Sequence, residues 1–305
     1  MADMETIGFI GLGLMGKPMA GHLVAKGFRV IVHSRSPGPV DALVAQGAVR
    51  ASGPADVAAR TTRIITMLPD SPDVERVLDG PGGVFTRLQP GTILIDTSSI
   101  APATARALAD KAQTLGATML DAPVSGGEVG AVNASLSIMV GGDQAAFDTV
   151  KPILDVMGNP ERVIRIGPSG AGQICKVCNQ MVIGGTLAAV SEAFALARKA
   201  SVDVSRVREA LLGGFAASKV LEVHGQRMLQ SNYKPGFRAA LFAKDLRIAG
   251  ATLAEHQTSA PVSSVVQQLV TALVAEGRGE DDYSALATVL FGLSGLDDRI
   301  ESVAD

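Results

Sequence analysis

The sequence predicts an α/β protein, with an N-terminal doubly wound sheet followed by an all-helical C-terminal domain. Three observations predict it. Up to Ile166, short β-branched runs alternate with helical patterns, and continuous apolar strands in such alternation build a parallel sheet covered on both faces. Several helical stretches run up to glycine, at Gly27, Gly47, Gly116 and Gly158, the residue that most easily closes a helix in the left-handed conformation. Beyond Gly167-Pro168-Ser169-Gly170 no convincing strand remains, and long stretches of 3.6-residue periodicity take over.

Taken in order, the expected strands are Thr6–Ile10, Arg29–His33, Ile64–Met67, Thr92–Asp96, Met119–Leu120, Leu136–Val140 and Val163–Ile166. Helical patterns lie between them, for example at Met15–Lys26, Val40–Gln46, Ala103–Leu115 and Gln144–Met157. The second half predicts helices over Gln173–Lys199, Val204–Leu212, Val220–Gln230, Ala240–Glu255, Val262–Glu276 and Ser284–Leu293. Ser169 has the chemistry to cap the first of these. The expected domains are therefore residues 1–166 and 167–305.

Composition narrows the class. A chain of 305 residues has room for two domains of about 150 each. Its 47% hydrophobic and 19% charged residues make it globular. The charges nearly cancel, 27 Lys and Arg against 30 Asp and Glu, so no broad basic field exists to hold a phosphate backbone. With nine Phe, two Tyr and no Trp, a base-stacking surface is not expected either, and nucleic acid is excluded as a partner. Two cysteines cannot build a disulfide framework, which points to a reducing compartment. The apolar run Ile7–Met15 follows acidic Asp3 and Glu5, where a signal peptide carries positive charge. The longest later run, Met181–Val190, falls short of the ~20 residues of a membrane span. The expectation is a cytoplasmic protein with no membrane partner.

Gly11-Leu12-Gly13-Leu14-Met15-Gly16 matches the G-x-G-x-x-G pattern, a weak signal alone. Here an apolar strand precedes it, a helix follows, and the next strand arrives at the spacing of a βαβ unit, the context that makes it a Rossmann dinucleotide site. Gly11 permits the tight turn, Gly13 lets the backbone approach a pyrophosphate, and Gly16 lets helix and strand pack closely. The helix N-terminus adds N–H groups and partial positive charge for the phosphates. An NAD site usually presents Asp or Glu at the end of the second strand. This chain reads His33-Ser34-Arg35-Ser36, with no carboxylate before Asp41. Arg35 can neutralise a 2′-phosphate while Ser34 and Ser36 offer hydroxyls, so NADP is the expected cofactor, with NAD possible.

Three later segments carry chemistry. Asp121-Ala122-Pro123-Val124-Ser125-Gly126-Gly127 follows a short strand and belongs at the sheet's carboxyl edge, where open α/β sheets bind ligands. Its small residues expose backbone N–H groups that suit a carboxylate, and Ser125 adds a hydroxyl. In Gly170–Gln180, Lys176 and Gln180 are i,i+4 on one helix face with Asn179 adjacent, a polar stripe on an otherwise apolar helix. Lys234-Pro235-Gly236-Phe237-Arg238 and Lys244-Asp245 place cations near a loop and the helix after it. Cys175-x-x-Cys178 is a decoy: a redox pair of that type begins a helix, whereas this one lies inside an apolar helix, where two small core residues are expected. No zinc set is expected, because His22, His33, His224 and His256 are isolated.

Together these motifs resemble the β-hydroxyacid dehydrogenase family over nearly the whole chain. The carrying segments are Gly8–Gly16, Met67-Leu68-Pro69, Asp121–Gly127, Gly172–Gln180 and Phe242–Leu246. Within the family the chain is most similar to the branch that reduces tartronate semialdehyde to glycerate, through Leu68–Pro72, Ser98–Pro102, Asn179-Gln180 and Lys234–Arg238. The 3-hydroxyisobutyrate branch usually carries a second Asn where this chain has Gln180, and an acid at the end of the second strand. The resemblance implies that Lys176 is the general acid in aldehyde reduction and the base in reverse. It implies that Ser125, Gly126 and Gly127 hold the substrate carboxylate, and that Asn179 or Gln180 orients the hydroxyl or the lysine. Leu68, Pro69 and Ser99 would line the cofactor cleft, and Lys244 would close over the nicotinamide end.

The implied substrate is a small carboxylate-bearing aldehyde or hydroxy acid, with 3-hydroxyisobutyrate, succinic semialdehyde and glyoxylate as alternatives. A non-catalytic nucleotide sensor is the reading from a different class; it would need the glycine loop but no proton donor. The family resemblance and the segment Met181–Ala197, apolar nearly all round, predict a homodimer or homotetramer built on the helical domain.

Overall fold

The computed structural model describes residues 5–300. The chain forms two compact units, the first running to Lys176 and the second starting at Val177. In the first unit, six strands carry the frame: β1 (Thr6–Ile10), β2 (Arg29–His33), β3 (Val49–Arg50), β4 (Arg63–Thr66), β5 (Ile93–Asp96) and β6 (Thr118–Asp121). They pair in parallel in the order β3-β2-β1-β4-β5-β6. Side chains alternate between the two faces. Ile7, Phe9, Ile65, Ile95 and Leu120 enter one apolar core, and Ile10, Ile64, Leu94 and Met119 enter the other. Burying each such side chain contributes about 1.5–3 kcal/mol, so a strand without alternating polarity is held from both sides.

The far edge departs from the all-parallel expectation. After β6 come β7 (Val124–Ser125), the short helix α6 (Gly127–Val132) and β8 (Leu136–Gly141), which runs antiparallel to β6 and β7. A parallel return needs a crossover of a dozen residues or more, usually a helix, and α6 has six. The longer α7 (Gln144–Met157) does make such a crossover, so β9 (Gly158–Gly167) lies parallel to β8.

The other helices of this unit are α1 (Gly16–Ala25), α2 (Pro37–Val44), α3 (Pro54–Arg60), α4 (Ser71–Asp79) and α5 (Pro102–Thr114). The two-residue strands β3 and β7 and the short helices α3, α4 and α6 were not among the expected elements; segments so brief show no period to read.

The second unit is helical: the greater part of α8 (Ala171–Lys199), then α9 (Val204–Leu212), α10 (Lys219–Leu229), α11 (Ala239–Glu255), α12 (Pro261–Leu273) and α13 (Leu286–Leu293). Its core gathers around Phe194, Phe242 and Phe291, all fully buried. Gly184 of α8 lets the helices close: a Cβ there would sit 3.0 Å from Val266 Cγ1 and 3.2 Å from Phe242 Cζ. The expected last turn of α12 instead forms a π segment over Val274–Arg278, where Gly277 takes φ of 82°.

The division between the units falls inside α8 rather than at the Gly167–Gly170 loop. The first turn of α8 lies against the sheet, where a Cβ on Gly172 would meet Met139 O at 2.3 Å and Asp121 O at 2.7 Å. Nor is Ser169 the partner for the amides of that turn: Asp121 takes Gly170 N (2.7 Å) and Gln173 N (2.9 Å). By length and composition α8 would also pass for a membrane span, which its interrupted apolar runs conceal; half of its most apolar window is buried in the fold. Cys175 is half-buried and Cys178 exposed, so they are not the two core residues expected. Among the described residues no group of three potential metal ligands occurs.

Candidate active site

In the first unit, the loops after β1, β2, β4, β5 and β6 all leave the carboxyl ends of neighbouring strands, so the sheet brings them to one edge. The turn Gly11–Gly16 joins β1 to α1 and is tied sideways by Gly11 N to His33 O at 2.9 Å. Gly11 has φ of 97°, and a Cβ on it would meet Met67 O at 2.2 Å. A Cβ on Gly16 would lie 2.0 Å from Gly11 O, whereas one on Gly13 would meet nothing within 4 Å. The outer glycines are thus demanded by the fold, while the middle one leaves open space at the helix start. That is the arrangement a pyrophosphate needs.

Leu12 and Met15 complete the turn with half or more of their surface covered, and Leu14 is exposed. Directly after β2, Ser34 Oγ accepts a long bond from Leu12 N (3.4 Å), and Arg35 and Ser36 are exposed beside it. No carboxylate occupies that strand end, so a 2′-phosphate would meet a guanidinium and hydroxyls.

The next two loops are cross-linked. Ser98 Oγ accepts from Leu68 N (2.8 Å) and donates to Asp96 Oδ1 (2.5 Å), which also accepts from Thr66 Oγ1 (2.7 Å). Ser71 Oγ accepts from Ala101 N at 3.0 Å. Leu68, Pro69 and Ser99 therefore sit on loops held together, with Pro69 exposed and the other two half-buried. At the third loop, Ser125 ends β7 and Gly126 and Gly127 follow with φ of 141° and 63°. Two consecutive positive φ values suit only glycine.

Sequence reasoning assigned no role to Asp96, Asp121 or Gln173, all buried. Asp96 and Asp121 are register partners on β5 and β6. Burial pushes the Asp96 carboxyl up to about 6, against the hydrogen bonds from Ser98 and Thr66, and the neighbouring Asp121 adds to the rise. Burial raises Asp121 as well, against the backbone N–H groups of Gly170 and Gln173.

Asp96 Oδ2 is buried without a hydrogen-bond partner. Its folded pKa lies above the unfolded value of 3.8, so the native state binds this proton more tightly and stability falls as pH rises through the window from about 4 to 6. Above that window the full cost, about 3 kcal/mol, is present. Asp96→Asn keeps an Oδ1 acceptor for Thr66 and Ser98 and removes the charge. The stability difference between variant and wild type should therefore shift in favour of the variant by about 2–3 kcal/mol between pH 4 and 7.5. Urea unfolding at both pH values measures it, and a pH-independent difference would refute this account.

Lys176 is half-buried in the second turn of α8. In the second unit, a chain of polar contacts links α8 to α11: Asn179 Nδ2 donates to Gln180 Oε1 (2.7 Å), and Gln180 Nε2 to Asp245 Oδ2 (2.6 Å). Lys244 Nζ lies 2.9 Å from Asp245 Oδ1. The Lys244 charge is thus offset locally by Asp245. The Lys234–Arg238 loop is held by Asp282, which is buried and accepts from Gly236 N (2.9 Å) and Phe237 N (3.1 Å).

Residues 6–175 match the family model described as the NAD binding domain of 6-phosphogluconate dehydrogenase. Residues 170–290 match NAD-binding of NADP-dependent 3-hydroxyisobutyrate dehydrogenase. The 2-hydroxy-3-oxopropionate reductase of Escherichia coli (strain K12) is 43% identical over 93% of this chain and 96% of its own. The Mycobacterium tuberculosis 3-hydroxyisobutyrate dehydrogenase, solved with L-serine, superposes with a TM-score of 0.87 at 33% identity, covering 94% of this chain and 99% of that one. Psf3, solved with NADP+ and 2-OPP, gives a TM-score of 0.84 at 27% identity, covering 93% and 99%.

Proposed function

This chain belongs to the 3-hydroxyisobutyrate dehydrogenase family of NAD(P)-binding hydroxyacid dehydrogenases, and from that premise we propose that it reduces tartronate semialdehyde to glycerate with NADPH. The observation that carries the substrate is the 43% identity to the E. coli 2-hydroxy-3-oxopropionate reductase across nearly both whole chains. Gln180, in place of the second Asn usual in the 3-hydroxyisobutyrate branch, agrees with it. In this reading the Gly11–Gly16 turn holds the pyrophosphate, Ser34, Arg35 and Ser36 hold the 2′-phosphate, and Leu68, Pro69 and Ser99 line the cofactor. Lys244 belongs to the nicotinamide end.

A bound nicotinamide dinucleotide supplies the hydride. The chain's own residues do the rest. Ser125, Gly126 and Gly127 fix the carboxylate through a hydroxyl and backbone N–H groups, which orients the carbonyl carbon. As negative charge develops on the carbonyl oxygen, Lys176 Nζ gives it a proton, and in the reverse direction it removes one. Asn179 or Gln180 orients that oxygen or the lysine.

Initial rates with NADPH and a panel of tartronate, methylmalonate and succinic semialdehydes and glyoxylate test the substrate. A higher kcat/KM on methylmalonate semialdehyde would move the assignment to the 3-hydroxyisobutyrate branch. No turnover of any of them would favour the sensor reading. For the cofactor, Arg35→Ala should weaken NADPH about ten- to hundredfold, the ~1.5–3 kcal/mol of a charge-assisted phosphate contact, and leave NADH nearly unchanged. Fluorescence titration with both cofactors measures this, and equal losses would defeat it.

The reading also includes a homodimer or homotetramer. Val182 and Leu196 of α8 are 68% and 71% exposed in the single chain, an apolar surface that a second copy would cover. Sedimentation should show an oligomer at micromolar concentration, and a monomer would count against it.

A further inference from the structure

Gln173 stands one turn before Lys176 on α8 and is almost wholly buried. Its side-chain amide spans Ser99 on both sides: Nε2 donates to Ser98 O at 2.8 Å and Oε1 accepts from Ile100 N at 3.2 Å. Its own backbone N–H goes to Asp121 Oδ2. Ser98 in turn holds Leu68 N through its hydroxyl. One residue thus ties the start of the helix that carries the proton donor to the Ser99 loop directly and to the Leu68 loop through Ser98, both loops that would line the cofactor, and it does so by way of the ends of β5 and β6. Gly172 leaves no side chain between this turn and the sheet. A buried glutamine using both ends of its amide on backbone groups is a costly arrangement to break, since each lost bond leaves a desolvated partner.

We propose that Gln173 is a positioning residue for the reaction: it fixes the offset between Lys176 and the loops of Leu68 and Ser99, so that proton and hydride meet the same carbonyl. The proposal rests on the reading of Lys176 as proton donor. A displacement of about 1 Å at a reacting centre can cost on the order of 10² in rate, so two hydrogen bonds here bear on kcat more than on affinity.

Gln173→Met keeps the length and removes both bonds. It should lower kcat by roughly 10- to 100-fold while the NADPH Kd, read by fluorescence titration, stays within about threefold, because the pyrophosphate turn is untouched. Gln173→Glu gives a second readout that does not depend on the first variant's folding. The glutamate can accept from Ile100 N, but only its protonated form can donate to Ser98 O. The titratable groups around this turn are Asp96 and Asp121 on the strands and Arg106, whose Nη1 would lie 3.2 Å from a Cβ on Gly170. The ratio of variant to wild-type kcat should therefore rise as pH falls from 8 to 6.

A kcat within twofold of wild type for folded Gln173→Met, with a flat ratio for Gln173→Glu, overturns the proposal. If Lys176→Ala is inactive in the same experiment, the proton-donor reading survives that failure. If Lys176→Ala is active, that reading falls and takes the positioning role with it.

Discussion

Replacing Lys176 with alanine is expected to lower kcat by the ~10²–10⁴ typical of a general acid–base group, with NADPH affinity near normal. The separation is positional. The Gly11–Gly16 turn that would bind the pyrophosphate lies at the end of β1, while Lys176 lies on α8 beyond β9. Lys176→Arg should fail as well, because a guanidinium stays protonated and cannot cycle as a base, and its planar fork is larger than an ammonium. If Lys176 were merely a solvated helix lysine, both variants would keep nearly full rate and differ only slightly in stability. Steady-state rates with a cofactor titration on the two variants decide between these. Retention by Lys176→Ala of more than about a tenth of wild-type kcat would end the assignment, being far short of an acid–base loss.

The parts of this molecule legible in its sequence are those written in a local period. β1 and β2 and helix α9 have the bounds their patterns predict, because alternating cores and 3.6-residue stripes repeat along the chain. The glycine turn was legible for a related reason: steric demands at Gly11 and Gly16 admit one residue type. The buried polar network was not. Asp96, Asp121 and Gln173 are partners through strand register and through the return of the chain over the sheet, and no spacing in sequence encodes that. The one available signal was a polar residue adjoining apolar ones, such as Asp96 after Ile93-Leu94-Ile95 and Gln173 before Ile174, which must find a partner if buried. The pairing of Lys244 with Asp245 was hidden differently: adjacent residues on a helix point apart by default, and only the placement of Gln180 against Asp245 shows that both belong to one cluster.

The glycine turn yields the second large effect, through a contrast between two of its members. Gly16→Ala places a Cβ 2.0 Å from the carbonyl oxygen of Gly11 and 3.1 Å from Phe9 Cε1. The nearer obstacle is backbone, which cannot swing aside as a side-chain end can, so the start of α1 must move off β1. Overpacking of this kind costs about 1–3 kcal/mol or more, and Gly16→Ala should lower Tm by several degrees and lose cofactor binding together with it. Gly13→Ala has no such obstacle, since a Cβ there enters open space. Its Tm without cofactor should stay within a degree or two of wild type, or rise slightly, because alanine narrows the unfolded ensemble. Yet that open space is where the backbone would approach the pyrophosphate, so Gly13→Ala should weaken NADPH and NADH alike, by at least about tenfold. Thermal melts of both variants with and without NADPH test the pair. Wild type should be stabilised by ligand according to its concentration over Kd, and Gly13→Ala should gain less at the same NADPH concentration. If Gly13→Ala gains as much Tm from NADPH as wild type does, the open space at Gly13 does not receive the pyrophosphate, and the dinucleotide must be held elsewhere on the sheet edge.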